Sequence, residues 1–216
     1  VGRDDGGKSG EFSPIFYKED QFKLLKSGTF WLAADCTTPN MGWDAACMRV
    51  CTWGKFRVRG TGKIIWMFNT HFDHIGVVAR EQSAKLIISK INEICGETSN
   101  VILTGDFNSD QNSDVYYYLK SASGLRDTYD IADFKMEWSG TMNNFDPGIV
   151  TNYRIDFIFT GKDFSVKRYG ILSDSYKSVE EAGEKSVPNF PKETTFKKAK
   201  VRYPSDHFPV ISVLNF

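Results

Sequence analysis

Residues 64–104 constrain the fold more than any other part of the chain, because two continuous apolar runs there bracket one long segment of helical period. Ile64–Asn69 reads IIWMFN, a run without polar alternation that suits a strand covered on both faces. Ala79–Cys95 spaces Ser83, Leu86, Ile87, Lys90, Ile91 and Ile94 so that an apolar stripe follows one side of a helix, and Gly96 stands where that helix would stop. Val101–Thr104 is a second short buried strand, ending in Gly105-Asp106-Phe107-Asn108. Shorter strand-like segments occur at Ile15–Tyr17, Thr29–Leu32, Met48–Phe56, Arg154–Thr160, Phe164–Tyr169 and Phe208–Leu214, with a short aromatic helix at Asp114–Ser121. Gly60 and Gly62 mark a hairpin turn within Lys55–Lys63, whereas residues 1–12 and Thr37–Trp43 read as exposed loops. Ser173–Pro204 is rich in Lys, Glu, Pro and Ser without periodicity, and is expected to be a lid or mobile loop. Strands with intervening helices and several hairpins indicate a single mixed α/β (α+β) domain with mostly antiparallel pairing.

Charge narrows the function. Lys plus Arg and Asp plus Glu number 27 each, so the net charge is zero. A protein that holds nucleic acid mainly through its field is basic, so any phosphate affinity here belongs to a local site. Cys36, Cys47, Cys51 and Cys95 form no CxxC pair and no Cys-His spacing of a zinc site, and read as buried free thiols. No apolar run has the length of a membrane span, no targeting segment is visible, and the compartment stays open.

The chemistry-bearing residues gather at strand ends. His71 follows the IIWMFN strand within Asn69-Thr70-His71-Phe72-Asp73-His74, and His207 precedes the last strand within Ser205-Asp206-His207. Asp106 and Asn108 end a third strand. Asp156 lies in a fourth among Ile155, Phe157, Ile158 and Phe159, where a carboxylate is costly without a partner. Carboxylates with an amide are hard oxygen ligands, suited to Mg²⁺, Mn²⁺ or Ca²⁺ rather than zinc. Imidazoles beside carboxylates can move protons near neutral pH. Hydrolysis of a phosphoester needs those parts: an activated water, neutralised phosphoryl oxygens and help for the leaving group. No Ser nucleophile motif or dinucleotide fingerprint competes, and VGRDDGGKSG has its glycines at the wrong offsets for a Walker loop.

Four segments, NTHFDH (69–74), LTGDFNS (103–109), RIDFIF (154–159) and PSDHFPV (204–210), resemble the endonuclease/exonuclease/phosphatase family in its own order. FSPIFY (12–17), GTFWL (28–32) and GWDAACMRVCTW (42–53) look most like a bacterial branch of it. The resemblance implies two packed, mixed sheets flanked by helices, a four-layer DNase I-like sandwich. It also implies Mg²⁺- or Mn²⁺-dependent hydrolysis of a phosphodiester or phosphomonoester. It assigns His207 as general base, Asp156 as its support, Asp106 and Asn108 to water and phosphate, His71 to the phosphate or leaving group, and Asp206 to the metal. For Arg49 two readings stay open, a phosphate contact or a surface or cross-strand salt bridge, while His74 reads as a packing or supporting residue. Nucleic acid, a phospholipid headgroup and a phosphorylated sugar all remain as substrates, with no obligate protein partner expected. Lys192, Lys197, Lys198, Lys200 and Arg202 could draw an anionic substrate or simply form a solvated run.

The same resemblance places the principal Mg²⁺ ligands, an Asn and a Glu, on strands that should precede residue 12. Residues 1–11 carry no such strand, and Glu11 lacks the family's Gln-Glu context. The expectation is therefore a single domain, 1–216, without its N-terminal strands, and the rival to catalysis is a non-catalytic binding module of the same fold. A zinc hydrolase using His71, His74 and His207 is disfavoured, because carboxylate-rich surroundings suit a harder ion.

Overall fold

The computed structural model describes residues 1–96, 100–122, 124–185, 191 and 196–216. A hairpin opens the main sheet: β1 (Phe22–Trp31) pairs antiparallel with β2 (Val50–Val58), and β2 with β3 (Ile64–His71). Helix α1 (Val77–Cys95) crosses over to β4 (Val101–Asp106), which lies parallel to β3. After α2 (Asp114–Ala122) come β5 (Arg126–Asp127), the single turn α3 (Thr128–Ile131) and β6 (Ala132–Met136). β7 (Asp156–Thr160) then pairs antiparallel with β4, completing a sheet of order β1-β2-β3-β4-β7-β5. β8 (Ser165–Ile171), β9 (Tyr176–Lys185), β10 (Phe196–Arg202) and β11 (Val210–Asn215) follow, with β11-β8-β6 as a second sheet.

The central strands are covered on both faces, as the IIWMFN run requires. On one face Phe68, Leu103 and Phe159, all fully buried, pack with Ile87 and Ile91 of α1 and Leu119 of α2. Burial of such a side chain stabilises the fold by roughly 1.5–3 kcal/mol. On the other face Phe56, Ile65, Met67 and Ile102 meet Phe164, Leu214 and Phe216, so the second sheet packs on the first. Gly96 ends α1 with φ 66° and donates its N–H to Asn92 O at 3.0 Å. At the other end of α1 the orphan N–H groups of Val78 and Ala79 reach the distant Asp44 carboxylate, at 3.2 and 2.6 Å.

Several expectations need correction. Ser173–Pro204 is not without structure: β9 and β10 pair as an antiparallel hairpin, and the described residues of these strands are mostly exposed, so no apolar period marks them. Lys197, Lys198, Lys200 and Arg202 lie exposed on β10, and Lys192 falls outside the described residues. Ile15–Tyr17 forms no strand and pairs in no sheet, and Ile15 instead packs on the Phe56–Phe164 cluster. Residues 1–12 are not merely a solvated loop, since Gly2 is buried and Trp31 Nε1 donates to Arg3 O at 2.6 Å. β5, α3 and β6 leave no mark in the sequence because each is too short to set up a period.

Candidate active site

Three of the selected residues occupy one row across the main sheet. His71 at the end of β3 is in register with Asp106 at the end of β4, and Asp106 with Asp156 at the start of β7. Side chains in such a row project from the same face, with neighbouring Cβ atoms about 4.5–5.5 Å apart. His71 Nε2 accordingly lies 3.3 Å from Asp106 Oδ2. Asp156 is the first residue of its strand rather than an interior one, so the cost of a carboxylate among apolar neighbours falls at a strand end.

At Gly105 the backbone of β4, with φ 156°, points the place of a Cβ straight at β3. A Cβ on Gly105 would stand 2.1 Å from Thr70 O, so LTGDFNS can carry only Gly there. The chain then turns through Asn108 at φ 44°, a conformation Asn tolerates better than most residues. The turn is closed by Asn108 N–H donating to Asp106 Oδ1 at 2.8 Å and Asn108 Nδ2 to Phe72 O at 3.0 Å.

His207 arrives from the loop before β11. Its Nδ1 lies 2.9 Å from Asp156 Oδ2, which leaves Nε2 for a partner other than Asp156. The segment 141–144 holds this loop against β7. Thr141 Oγ1 accepts from Ile155 N at 2.9 Å and Asp156 N at 3.2 Å, and Met142 bridges His207. Asn143 N and Asn144 N both donate to Asp206 O, at 2.7 and 3.0 Å. The Asp206 carboxylate has Ser205 Oγ at 3.4 Å and acts on His207 through its charge.

Electrostatics differ sharply between the two imidazoles. The hydrogen bond to Asp156, helped by the charges of Asp156, Asp106 and Asp206 against the pull of burial, raises His207 to about 9. Burial, with the Arg49 charge added, lowers His71 to about 4, Glu11 opposing only in part. Burial and then the Asp156 charge push the Asp106 carboxyl up to about 6. The row thus concentrates more negative charge than its own groups neutralise. Asp106, Asp156 and His207 bring ligand atoms within 4.8 Å of one another, and an oxygen-rich, over-negative set of this kind fits a hard divalent cation.

Behind His71 lies a group that no sequence motif marks. Arg3 and Arg49 both bond Glu11, the latter at 3.3 Å, and Glu11 Oε2 lies 3.7 Å from His71 Nδ1. Nothing periodic singles out Arg3 and Glu11 along the chain; only the fold of the first loop brings them here. Arg49 is 5 % exposed and also meets His74 Nδ1 at 3.1 Å and Asp73 Oδ2 at 3.8 Å, a buried ion pair between the chain before β2 and the chain after β3. His74 is thereby a partner of Arg49 and stands apart from His207. Cys47, Asp73 and His74 form a second cluster. There, however, Asp73 already accepts from the N–H groups of Ala46, Cys47, Ile75 and Gly76. Burial raises the Asp73 carboxyl, but those bonds outweigh it and hold the group far below the usual range. Of the four thiols Cys51 is buried and the others are half-buried, all of them free.

Known proteins share this fold. A mannosyl-6-phosphatase from Bacteroides thetaiotaomicron superposes with a TM-score of 0.90 at 44 % identity, covering 100 % of this chain and 75 % of that one. An endonuclease/exonuclease/phosphatase from Bacteroides vulgatus gives 0.81 at 38 % identity, covering 100 % and 74 %. An uncharacterized protein of Acanthamoeba polyphaga mimivirus is 33 % identical over 93 residues, 41 % of this chain, and the match spans about a third (34 %) of that curated relative. The model of the endonuclease/exonuclease/phosphatase family matches residues 15–207, and the chain belongs to that family.

Proposed function

We propose that this protein hydrolyses a phosphoester with water as nucleophile, and that a phosphomonoester of a sugar is its first candidate substrate. The observation that carries the reading is the single row His71–Asp106–Asp156 with His207 bonded to its last member. Likeness to a mannosyl-6-phosphatase at 44 % identity over the whole chain supports the sugar phosphate. A binding module without turnover, the rival reading, gives these groups no reason to converge.

His207 donates Nδ1–H to Asp156 and presents Nε2 to the attacking water, whose proton it takes; Asp156 holds the imidazole in that tautomer and stabilises the imidazolium. Asp106 orients the water, and Asn108 retains one amide proton, beyond the one given to Phe72 O, for a phosphoryl oxygen. His71, held neutral, donates a hydrogen bond to the phosphate or the departing oxygen. Asp106 and Asp156, the carboxylates of the cluster, would hold Mg²⁺ or Mn²⁺, with Asp206 contributing as its motif implies. The ion, when bound, supplies positive charge that offsets the phosphoryl oxygens and lowers the proton affinity of His207. Arg49 lies too deep for first contact and serves through Glu11 and His74.

The test is hydrolysis of 4-nitrophenyl phosphate, bis(4-nitrophenyl) phosphate and hexose 6-phosphates with Mg²⁺ or with EDTA, by the parent and by His207→Ala. We expect ion-dependent turnover, reduced about 10²–10⁴-fold in the variant, with an unchanged circular dichroism spectrum. Equal turnover by the two proteins removes His207 as base. No turnover of any ester with the ion present refutes the phosphoesterase reading.

A further inference from the structure

We infer that the cleft beside the reaction centre is the subsite for the alcohol half of the substrate, and that it takes a neutral, hydroxyl-rich group such as a hexose. The inference rests on the phosphoesterase reading above. A cavity of about 450 Å³ opens there, lined by Gln111, Tyr129, Glu137, Trp138, Asn152 and Arg154. Its size falls among small-molecule sites of about 300–1,000 Å³.

Three walls of the cleft lead straight to residues of the site. Gln111 is on the loop that carries Asn108; its amide donates to Asn152 O and accepts from Arg154 N, both at 2.9 Å. Arg154 lies on the lead-in to Asp156. The Trp138 ring stands 6.2 Å from that of Phe208, the neighbour of His207. The chain links at Gln111 and Arg154 and the ring contact of Trp138 set this cleft on the flank of the group formed by Asn108, Asp156 and His207, and we place the ester oxygen on that side.

The lining selects a class of occupant. Arg154, 6 % exposed, spends its charge on Asp127 Oδ2 at 2.9 Å and lies over the Tyr129 ring at 4.0 Å. With that cation neutralised, the exposed Glu137, which accepts from the Tyr129 hydroxyl, makes the cleft hostile to a second phosphate or a nucleic-acid backbone. Trp138 is 54 % exposed where it lines the cavity, and its indole N–H is tied to Ser173 Oγ, which limits how the ring can turn. An aromatic face beside a carboxylate and amides offers what a sugar ring needs: apolar contact for its C–H face and partners for its hydroxyls.

Steady-state kinetics on Trp138→Ala and Glu137→Gln, with Mg²⁺, test this. The KM for hexose 6-phosphate should rise about 10-fold in each, the loss of one good contact. The Ki for inorganic phosphate, which reports on the reaction centre alone, should change less than about 2-fold. An unchanged KM, or KM and Ki rising in parallel, overturns the subsite. A parent enzyme that turns over 4-nitrophenyl phosphate but shows no saturable turnover of hexose 6-phosphates also overturns it and leaves the phosphoesterase reading standing. Inertness toward every phosphoester removes both.

Discussion

Gly105→Ala tests the link between sheet geometry and chemistry most directly. The new Cβ would stand 2.1 Å from Thr70 O and 3.0 Å from both Thr70 C and Cγ2, at a φ of +156° that side chains rarely adopt. Thr70 precedes His71, and Gly105 precedes Asp106. Clearing the clash to the 3.0 Å that real Cβ contacts respect means parting the two backbones by nearly 1 Å, beside the 3.3 Å contact of His71 with Asp106. Inserting a methyl into a packed interior costs about 1–3 kcal/mol, and a side chain on unsuitable backbone adds on the order of 1 kcal/mol. A misplacement of about 1 Å at a reaction centre costs about 10²-fold in rate. Urea denaturation should therefore show a loss of about 2–4 kcal/mol, and the ion-dependent rate on the best ester of the panel should fall at least about 30-fold. Gly60→Ala is the control, because nothing lies within 4 Å of the added atom there; it should stay within about 0.5 kcal/mol of the parent. If Gly105→Ala matched Gly60→Ala in both midpoint and rate, the claim that this close approach builds the site would be wrong.

Other consequences concern charge. In the metal-free protein, an NMR titration should place His207 near its raised value of about 9, and Asp156→Asn should bring it back toward 6.5. Since folding raises this pKa, protonated His207 stabilises the fold fully below pH 6.5, and the contribution fades as pH climbs through about 9. An unchanged His207 titration curve in the Asp156→Asn variant would dissolve the dyad. Asp127 is fully buried, accepting from Arg154 Nη1, Tyr116 Oη and Tyr129 N, so Asp127→Ala should cost about 3–5 kcal/mol by stranding the Arg154 cation. A denaturation midpoint equal to the parent's would show that pair to be dispensable.

Legibility in the sequence followed the range of the interactions. The apolar run of β3, the stripe of α1 with its stop at Gly96, and β4 were readable because neighbours along the chain set them up, and their bounds held to within a few residues. The hairpin of β9 and β10 was not, since its described residues are mostly exposed and leave no period. His71, Asp106, Asn108, Asp156, Asp206 and His207 stand out from their motifs. Arg3, Glu11 and the 141–144 clip do not, because their roles consist wholly of contacts with remote segments.

Residue types and their order along the chain establish which chemistry is available: two acid–imidazole motifs, an amide, strand ends to carry them, and a net charge that removes a general field as the means of holding phosphate. How those groups divide the work comes from the folded molecule alone. Register put His71, Asp106 and Asp156 in one row; burial with Arg49 kept one imidazole neutral, while Asp156 kept the other charged. Proton affinity depends on solvent exposure and on charges a few ångströms away. Neither is a property of a residue's type or of its place along the chain.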